Sequence, residues 1–305
     1  MPKPTAPQLE NGTPNLVDGL VSLLDLEQLE ANLFRGQSPK SGWKRVFGGQ
    51  VLAQSLVAAQ RTVIEPRQVH SMHAYFLLAG DPKIPIVYEV ERARDGGSFT
   101  TRRVEAIQNG RPIFVMSASF QKHEDGLDHQ STMPKVAGPD GLPSQEDLLQ
   151  LMADKIPASL RNHVTRDRPL EMRLVDMQRY IERRKAEPVQ HIWLRTRGRL
   201  PDDPQVHQAV LAYASDYTLL DTALIAHGKL LFDTDIQMAS LDHALWFHRP
   251  FRADEWLLYA QDSPSAGGAR GFSRGSIYRQ DGVLVASVVQ EGLMRTRAEM
   301  PKIGA

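Results

Sequence analysis

The chain reads as an α+β protein built twice, as two tandem repeats that each combine one central helix with an antiparallel sheet. Three observations predict this. Segments 71–120 and 241–290 carry the same features in the same order, each ending in an apolar strand. Each is preceded by an apolar stretch at helical spacing, 47–63 in the first half and 206–228 in the second. A 305-residue chain with 41% hydrophobic and 24% charged residues has the composition of an ordinary globular protein and the length for two such units.

The elements follow in order. Residues 1–14, within "MPKPTAPQLENGTPNL", are polar and rich in Pro and Asn, carry no apolar leader core, and are expected to form a flexible tail. The first repeat spans 15–125. It opens with "NLVDGLVSLLDLEQLEANLF" (15–34), read as a helix, and continues with "FGGQVLAQSLVAAQRTV" (47–63), where Val51, Ser55, Ala58 and Ala59 share a helical face. Then come a His-Ala aromatic strand, the extended "PIVYEVERAR", a Gly-Gly turn, a strand with Phe and Arg, an Asn-Gly hairpin and "RPIFVMSASF". Asn-Gly suits a type I′ turn because both central residues need positive φ.

Residues 126–168 read as a linker rich in Pro and charge, with a short helix in "SQEDLLQLMADKI" (144–156), where Ser144 stands three before an acid in capping-box fashion. The second repeat, 169–300, has its helix in "VHQAVLAYASDYTLLDTALIAHG" (206–228), closed by Gly228. The strand "LDHALWF", the extended "EWLLYAQDS", a Gly-Gly turn, an Asp-Gly hairpin and "VLVASVVQ" complete it.

Composition excludes several functions. Lys+Arg and Asp+Glu balance at 36 each, so no global field recruits nucleic acid or acidic lipid. There is no cysteine, which removes disulfides, thiolate nucleophiles and Cys-ligated zinc. No stretch approaches the roughly 18 apolar residues of a membrane span. The end "MPKIGA" is not an SKL-type peroxisomal address, and a cytoplasmic location is the default expectation.

Several apparent motifs do not carry chemistry. Gly271-Phe272-Ser273-Arg274-Gly275 matches G-x-S-x-G, but a hairpin follows instead of a helix and no histidine occurs after His248. Gly48-Gly49-Gln50 opens an apolar helix, so its glycines signal close packing or N–H groups offered to a ligand, rather than an exposed hydrolytic loop. His70 and His73 stand three apart in a strand and face opposite sides, which disfavours a metal site. Asp242-His243 and His248 flank an aromatic strand and read as satisfied strand residues, and "ERRKAE" (182–187) as a solvated face.

One residue breaks the pattern. On a helix through 213–224, Asp216, Leu219, Leu220, Ala223 and Leu224 form one stripe, so a carboxylate faces the core; Asp221 falls roughly 140° away, on the polar side. On the last strand Gln290 shares a face with Leu284, Ala286 and Val288, where the first repeat has Phe114, Met116, Ala118 and Phe120. The first repeat has no carboxylate in 45–60. Polar exceptions confined to one repeat point to one working site and one degenerate one, because a buried carboxylate needs partners or a task.

The chain is similar to the acyl-CoA thioesterase II family, the double-hotdog thioesterases. The resemblance runs from "LVSLLDLEQLEANLFRGQS" through "VFGGQV", "HSMHAYFLLAGD", "RPIFVMSASFQ" and "PDGLPS" to "YASD", "LDHALWFHRPF", "ARGFSRG" and "QDGVLVASVVQEGLMR". It implies a double hotdog, each sheet wrapped around its central helix, that hydrolyses acyl-CoA to free acid and coenzyme A with no metal or redox cofactor. The family's catalytic group falls on Asp216 in "YASD", Ser240 in "ASLDH", where many members have Thr, and Gln290 in "VVQEG". In that role Asp216 deprotonates a water, Ser240 and Gln290 complete the water's hydrogen bonds, and helix N-terminal amides receive the oxyanion. The implied partner is acyl-CoA, with an apolar slot beside the helix and cations such as Arg45, Arg270 and Arg274 for the phosphates. Neither nucleic acid nor membrane is expected as a partner, and the resemblance implies a homodimer or homotetramer. Two rivals remain: a hotdog enoyl-CoA hydratase or dehydratase, which would need a His about five residues after the Asp, where Asp221 stands; and a non-catalytic acyl-CoA-binding protein.

Overall fold

The computed structural model describes residues 16–39, 44–64, 66–152, 168–231 and 233–296. Thirteen strands form one antiparallel sheet. In chain order they are β1 (Glu27–Glu30), β2 (Leu33–Gly36), β3 (Arg67–Phe76), β4 (Ile86–Asp95), β5 (Phe99–Gln108), β6 (Arg111–Lys122), β7 (Leu170–Leu174), β8 (Val189–Thr196), β9 (Ile236–Ser240), β10 (Asp242–Phe247), β11 (Leu257–Gly267), β12 (Arg270–Arg279) and β13 (Leu284–Thr296). Among the described residues the helices are α1 (Leu16–Leu24), α2 (Gly48–Gln60), α3 (Gln145–Leu151), α4 (Gln178–Glu182) and α5 (Pro204–Ser215), with a 3₁₀ segment at Leu220–His227.

The strand order β2-β4-β5-β6-β3 in the first half recurs as β8-β11-β12-β13-β10 in the second, and β3 pairs with β10 to join them. Each half is a hotdog, a curled sheet with a helix on its inner face. α2 lies over β4 to β6, the 3₁₀ segment covers β8 and β11 to β13, and α2 packs along α5. Both long helices are buried nearly all round, which explains why neither carries a polar face. At their contact a side chain on Gly49 would overlap the Tyr213 carbonyl oxygen, so this glycine sets the closeness of the pair.

The repeat read from sequence is therefore real, with local corrections. The helix expected over 15–34 ends at Leu24, and 27–36 forms the β1–β2 hairpin. Leu24 and Leu26 are both buried, at 5% and 4% exposure, a spacing of two that one helical face cannot satisfy. The helix expected over 206–228 starts at Pro204, N-capped by Asp203, and stops at Ser215. Two contacts end it: the Ser215 hydroxyl bonds back to Ala212 O (2.9 Å), and the Tyr259 hydroxyl donates to Ser215 O (3.1 Å), an oxygen that a continuing helix would need. Gly228 does close the 3₁₀ segment, at φ 63°.

The first hairpin has the expected I′ signature, Asn109 and Gly110 both at positive φ. The Asp281-Gly282 hairpin does not; only Gly282 is positive, and β13 resumes after a register shift. In the second repeat the two-residue turn with both φ positive is Gly268-Ala269 instead. In the linker, Ser144 and Asp147 form the expected capping box; residues 153–156 of that motif lie outside the described residues. The strand-free stretch before α3 lies on the outer face of the second sheet, where Met133, Val136 and Leu142 pack on Trp193, Leu258, Tyr278 and Leu284.

Candidate active site

Asp216 is the residue at which α5 ends, not a member of a continuous helical stripe. Its side chain is only 5% exposed. Gln290 on β13, fully buried, donates through Nε2 to Asp216 Oδ1 (2.6 Å) and to Ser240 Oγ (2.9 Å). Ser240, the last residue of β9, donates its hydroxyl to the same Oδ1 (3.3 Å). The triangle fixes every polarity: Gln290 gives both amide hydrogens, Ser240 gives its one, and the carboxylate accepts. β9 pairs with β13 at Ser240–Gly292, which holds the hydroxyl next to Gln290. The three residues singled out from sequence thus meet.

The first repeat supplies the fourth side. α2 begins at Gly48 after Phe47, whose side chain caps nothing, and the Gly49 backbone N–H bonds Asp216. A methyl on Gly48 would lie 2.6 Å from Asp216 Oδ2 and 2.9 Å from the Phe76 ring. Of the two alternatives that the sequence offers for these glycines, close packing is what the structure shows, and the Gly49 N–H goes to Asp216. Asp216 caps a helix belonging to the other hotdog, where the dipole favours an anion.

Burial nevertheless dominates its electrostatics. Desolvation pushes the Asp216 carboxyl from an ordinary 3.8 up to about 6, against the bonds from Gln290, Ser240 and Gly49 that pull it down. A base near 6 is ionised at neutral pH yet retains affinity for a proton.

Other expectations fare less well. Asp221 is not on a solvated face. It is half-buried and lines a small cleft with Arg179, Leu224 and Ile225, and burial raises its carboxyl to about 7. The break after Ser215 turns it there, since the 100° rotation per residue does not carry through. Arg270 and Arg274 lie on the face of β12 opposite Ser273, paired with Glu291 and Asp262, and neither joins the site. Arg45 is exposed three residues before α2. Ser273 of the apparent nucleophile motif sits mid-strand and fully buried, opposite Gln290 in the β12–β13 register.

His243 is the residue that sequence reading undervalued. It is fully buried, its Nε2 lies 2.9 Å from Ser215 Oγ, and its Nδ1 lies 4.0 Å from Asp216 Oδ1 with no hydrogen-bond partner. Burial lowers its pKa to about 3, so the ring is neutral and makes no ion pair. The shared His-Ala dipeptide hid it: His73 in the first repeat faces outward against Trp246, while His243 faces inward. Among the described residues no cluster of three or more His, Asp or Glu is arranged to hold a metal.

Comparison with known proteins shows the family. The acyl-CoA thioesterase model matches residues 159–293, and the model of the acyl-CoA thioesterase N-terminal domain matches 38–121. Acyl-coenzyme A thioesterase 8 of Homo sapiens is 43% identical over 292 residues, covering 92% of this chain and 90% of its own. Acyl-CoA thioesterase 2 of Haemophilus influenzae is 41% identical over 281 residues, covering 92% and 98%. The crystal structure of an acyl-CoA thioesterase II from Mycobacterium marinum superposes with a TM-score of 0.75 at 46% identity, covering 92% of this chain and 99% of that one. One match falls on each half of the sheet, the first over β3 to β6 and the second over β7 to β13, and the relatives span nearly the full length: this chain belongs to the acyl-CoA thioesterase II family of thioester hydrolases.

Proposed function

We propose that the protein hydrolyses acyl-CoA to a free carboxylic acid and coenzyme A, with Asp216 as general base. The observation that carries this is the closed triangle of Asp216, Ser240 and Gln290 at the amide end of α2. A thioester carbonyl is electrophilic enough for an oriented water to attack it directly. As the water oxygen bonds the carbonyl carbon, its proton passes to Asp216. The tetrahedral intermediate then expels the thiolate, which takes that proton, and the base is restored. Charge developing on the carbonyl oxygen is met by the amide end of α2, whose first turn starts beside Asp216. Ser240 gives its hydrogen to the carboxylate, and Gln290 gives one to the carboxylate and one to Ser240, so their part is to hold the base and tune it. The lyase alternative lacks its acid: His227 is exposed at the end of the 3₁₀ segment, and His243 faces Asp216 neutral.

The test is thiol release from acyl-CoAs of graded chain length, run beside Asp216→Asn. A loss of roughly 10²–10⁴-fold in the variant is expected for removal of a general base. Wild-type protein that binds acyl-CoA yet releases no thiol would refute the activity. A variant as fast as wild type would refute the role of Asp216. Arg45 is the cation we assign to the coenzyme A phosphates, and location in the cytoplasm and assembly into a homodimer or homotetramer complete the proposal.

A further inference from the structure

Across the inner face of the second hotdog runs a row of three fully buried polar side chains: His243 on β10, Gln290 on β13 and Ser273 on β12. Ser273 pairs with Gln290 in the β12–β13 ladder, and one step beyond the Ala244–Val289 pair the β10–β13 register sets His243 on Gln290's other side. Each member of the row has a polar atom without a hydrogen-bond partner in the protein: His243 Nδ1, Gln290 Oε1 and Ser273 Oγ. Buried polar atoms are rarely left so, and three abreast beneath the base call for an explanation.

Gln290 has Ser273 as its cross-strand partner, a side chain with a donor in register with its acceptor, although no hydrogen bond joins the two. His243 has no such neighbour. Its strand partner on the far side is Ala74, which offers nothing polar. The Ser215 hydroxyl spends its hydrogen on Ala212 O, so at the 2.9 Å contact Nε2 must be the donor. That fixes the tautomer, with hydrogen on Nε2 and a bare lone pair on Nδ1. The lone pair looks at Asp216 Oδ1 across 4.0 Å, too far for a direct bond and a repulsive pairing of two acceptors if nothing lies between.

One water resolves it. A water about 2.8 Å from each acceptor spans 4.0 Å with an angle of about 90° at its oxygen, close to the angle between its own hydrogens. We propose that His243 is a further catalytic residue, the second acceptor for the hydrolytic water: Asp216 Oδ1 and His243 Nδ1 each take one of its hydrogens. A water held by two acceptors keeps its oxygen lone pairs free for the thioester carbon. On attack the proton goes to Asp216, while the hydrogen on the His243 side keeps the oxygen aimed and leaves with the product acid. This inference rests on the reading of Asp216 as the base.

Two substitutions separate this role from mere support. In His243→Asn the side-chain oxygen reaches the place of Nδ1 and can still accept, while the Ser215 bond is lost. In His243→Gln the amide reaches the place of Nε2, keeping the Ser215 bond and losing the acceptor. The expected order is Asn within about tenfold of wild type in kcat and Gln lower by about 100-fold, the usual cost of one well-placed polar contact to a reacting group, with KM little changed. If Gln matches wild type, or Asn and Gln fall together in step with their melting temperatures, His243 is only an anchor and the proposal is overturned. A crystal structure of the full chain decides the case in which neither variant folds: ordered water within hydrogen-bond distance of both Oδ1 and Nδ1 supports it, and direct contact of the two groups overturns it. Asp216→Asn is assayed alongside. If that variant is as fast as wild type, the base assignment itself has failed, an outcome distinct from failure of the His243 step alone.

Discussion

Asp216→Asn should make the protein more stable at neutral pH as it makes it inactive. The carboxyl titrates near 6 in the folded state against 3.8 ordinarily, because burial outweighs its hydrogen bonds. Between those values the folded chain holds a proton that the unfolded chain has released, so stability falls as pH rises through the window. Below pH 3.8 the group costs nothing; above about 6 the shift of about 2 units costs about 3 kcal/mol. Asparagine is neutral throughout and escapes that cost, but its NH₂ must face an amide such as Gly49 N–H, forfeiting about 1 kcal/mol. A net gain of about 2 kcal/mol at pH 8 follows, roughly 3 °C in a protein of this size. At pH 5 the wild-type cost halves to about 1.5 kcal/mol, and the gain shrinks to below about 1 kcal/mol. Calorimetric scans of both proteins at pH 8 and pH 5, at one scan rate, read this directly, and Asp221 titrates in both. A variant less stable than wild type at pH 8, or a gap that does not narrow at pH 5, would show that the carboxylate is not held against a desolvation cost.

With the same base, kcat/KM should fall about tenfold per pH unit below about 6; Gln290→Ala, by removing a bond that lowers the Asp216 pKa, should shift this limb to higher pH and cut kcat by about 100-fold. A limb left where it was would detach Gln290 from the base. Ser240→Thr keeps the hydroxyl and should stay near the wild-type rate, whereas Ser240→Ala should lose about tenfold or more, as befits a bond to a charged group; equal rates in the two would mean the hydroxyl does nothing. Gly48→Ala should abolish activity with little change in fold, because its methyl meets Asp216 Oδ2 and Phe76. Gly49→Ala should also destabilise by roughly 1–3 kcal/mol by prying α2 from α5. Melting curves that rank these two glycine variants the other way would contradict the packing described.

How far the sequence reveals this site depends on whether a signal is local. Alternation along 283–290 placed Gln290 inward with Leu284, Ala286 and Val288, and the strand does so, because period two survives any twist of the sheet. The Asn109-Gly110 hairpin and the Ser144 capping box are legible because their signals too are local. Asp216 was singled out for a partly mistaken geometry: Leu219, Leu220, Ala223 and Leu224 are indeed buried, yet the helix that would align them breaks at Ser215. No Gly or Pro marks that break. It is imposed from outside by Tyr259 on Ser215 O and by Gln190 on Thr218 O, residues 44 and 28 positions away in the chain. Asp221 was misplaced by the same continuous helix. The Asp203-Pro204 start was available, since Asp followed by Pro is an N-cap with Pro at the first helical position. His243 could not have been found by pattern, because its neighbours in sequence say only that it lies on a strand.

The duplication explains why the acid stands where it does. α2 and α5 run past each other so that the end of each meets the first turn of the other. At one crossing Asp216, at the end of α5, meets Gly49; at the other Gln60, at the end of α2, donates to Gln205 O (3.5 Å) and Gln208 Oε1 (3.2 Å). The same seat thus holds an amide in one half and a carboxylate in the other. Around them the difference is consistent: Phe120 lies in the first sheet where Gln290 lies in the second, both fully or almost fully buried. The uncharged Gln60 amide is satisfied by Gln205 and Gln208, whereas a carboxylate in the matching seat needs Gln290, Ser240 and the Gly49 N–H of a glycine-led helix. The first repeat has kept what the second uses, a helix whose N-terminus is bare because Gly48 and Gly49 leave room for an acid from outside. Separating the two halves would therefore leave each without a site: one would lose its base, the other the helix dipole that lets the base ionise.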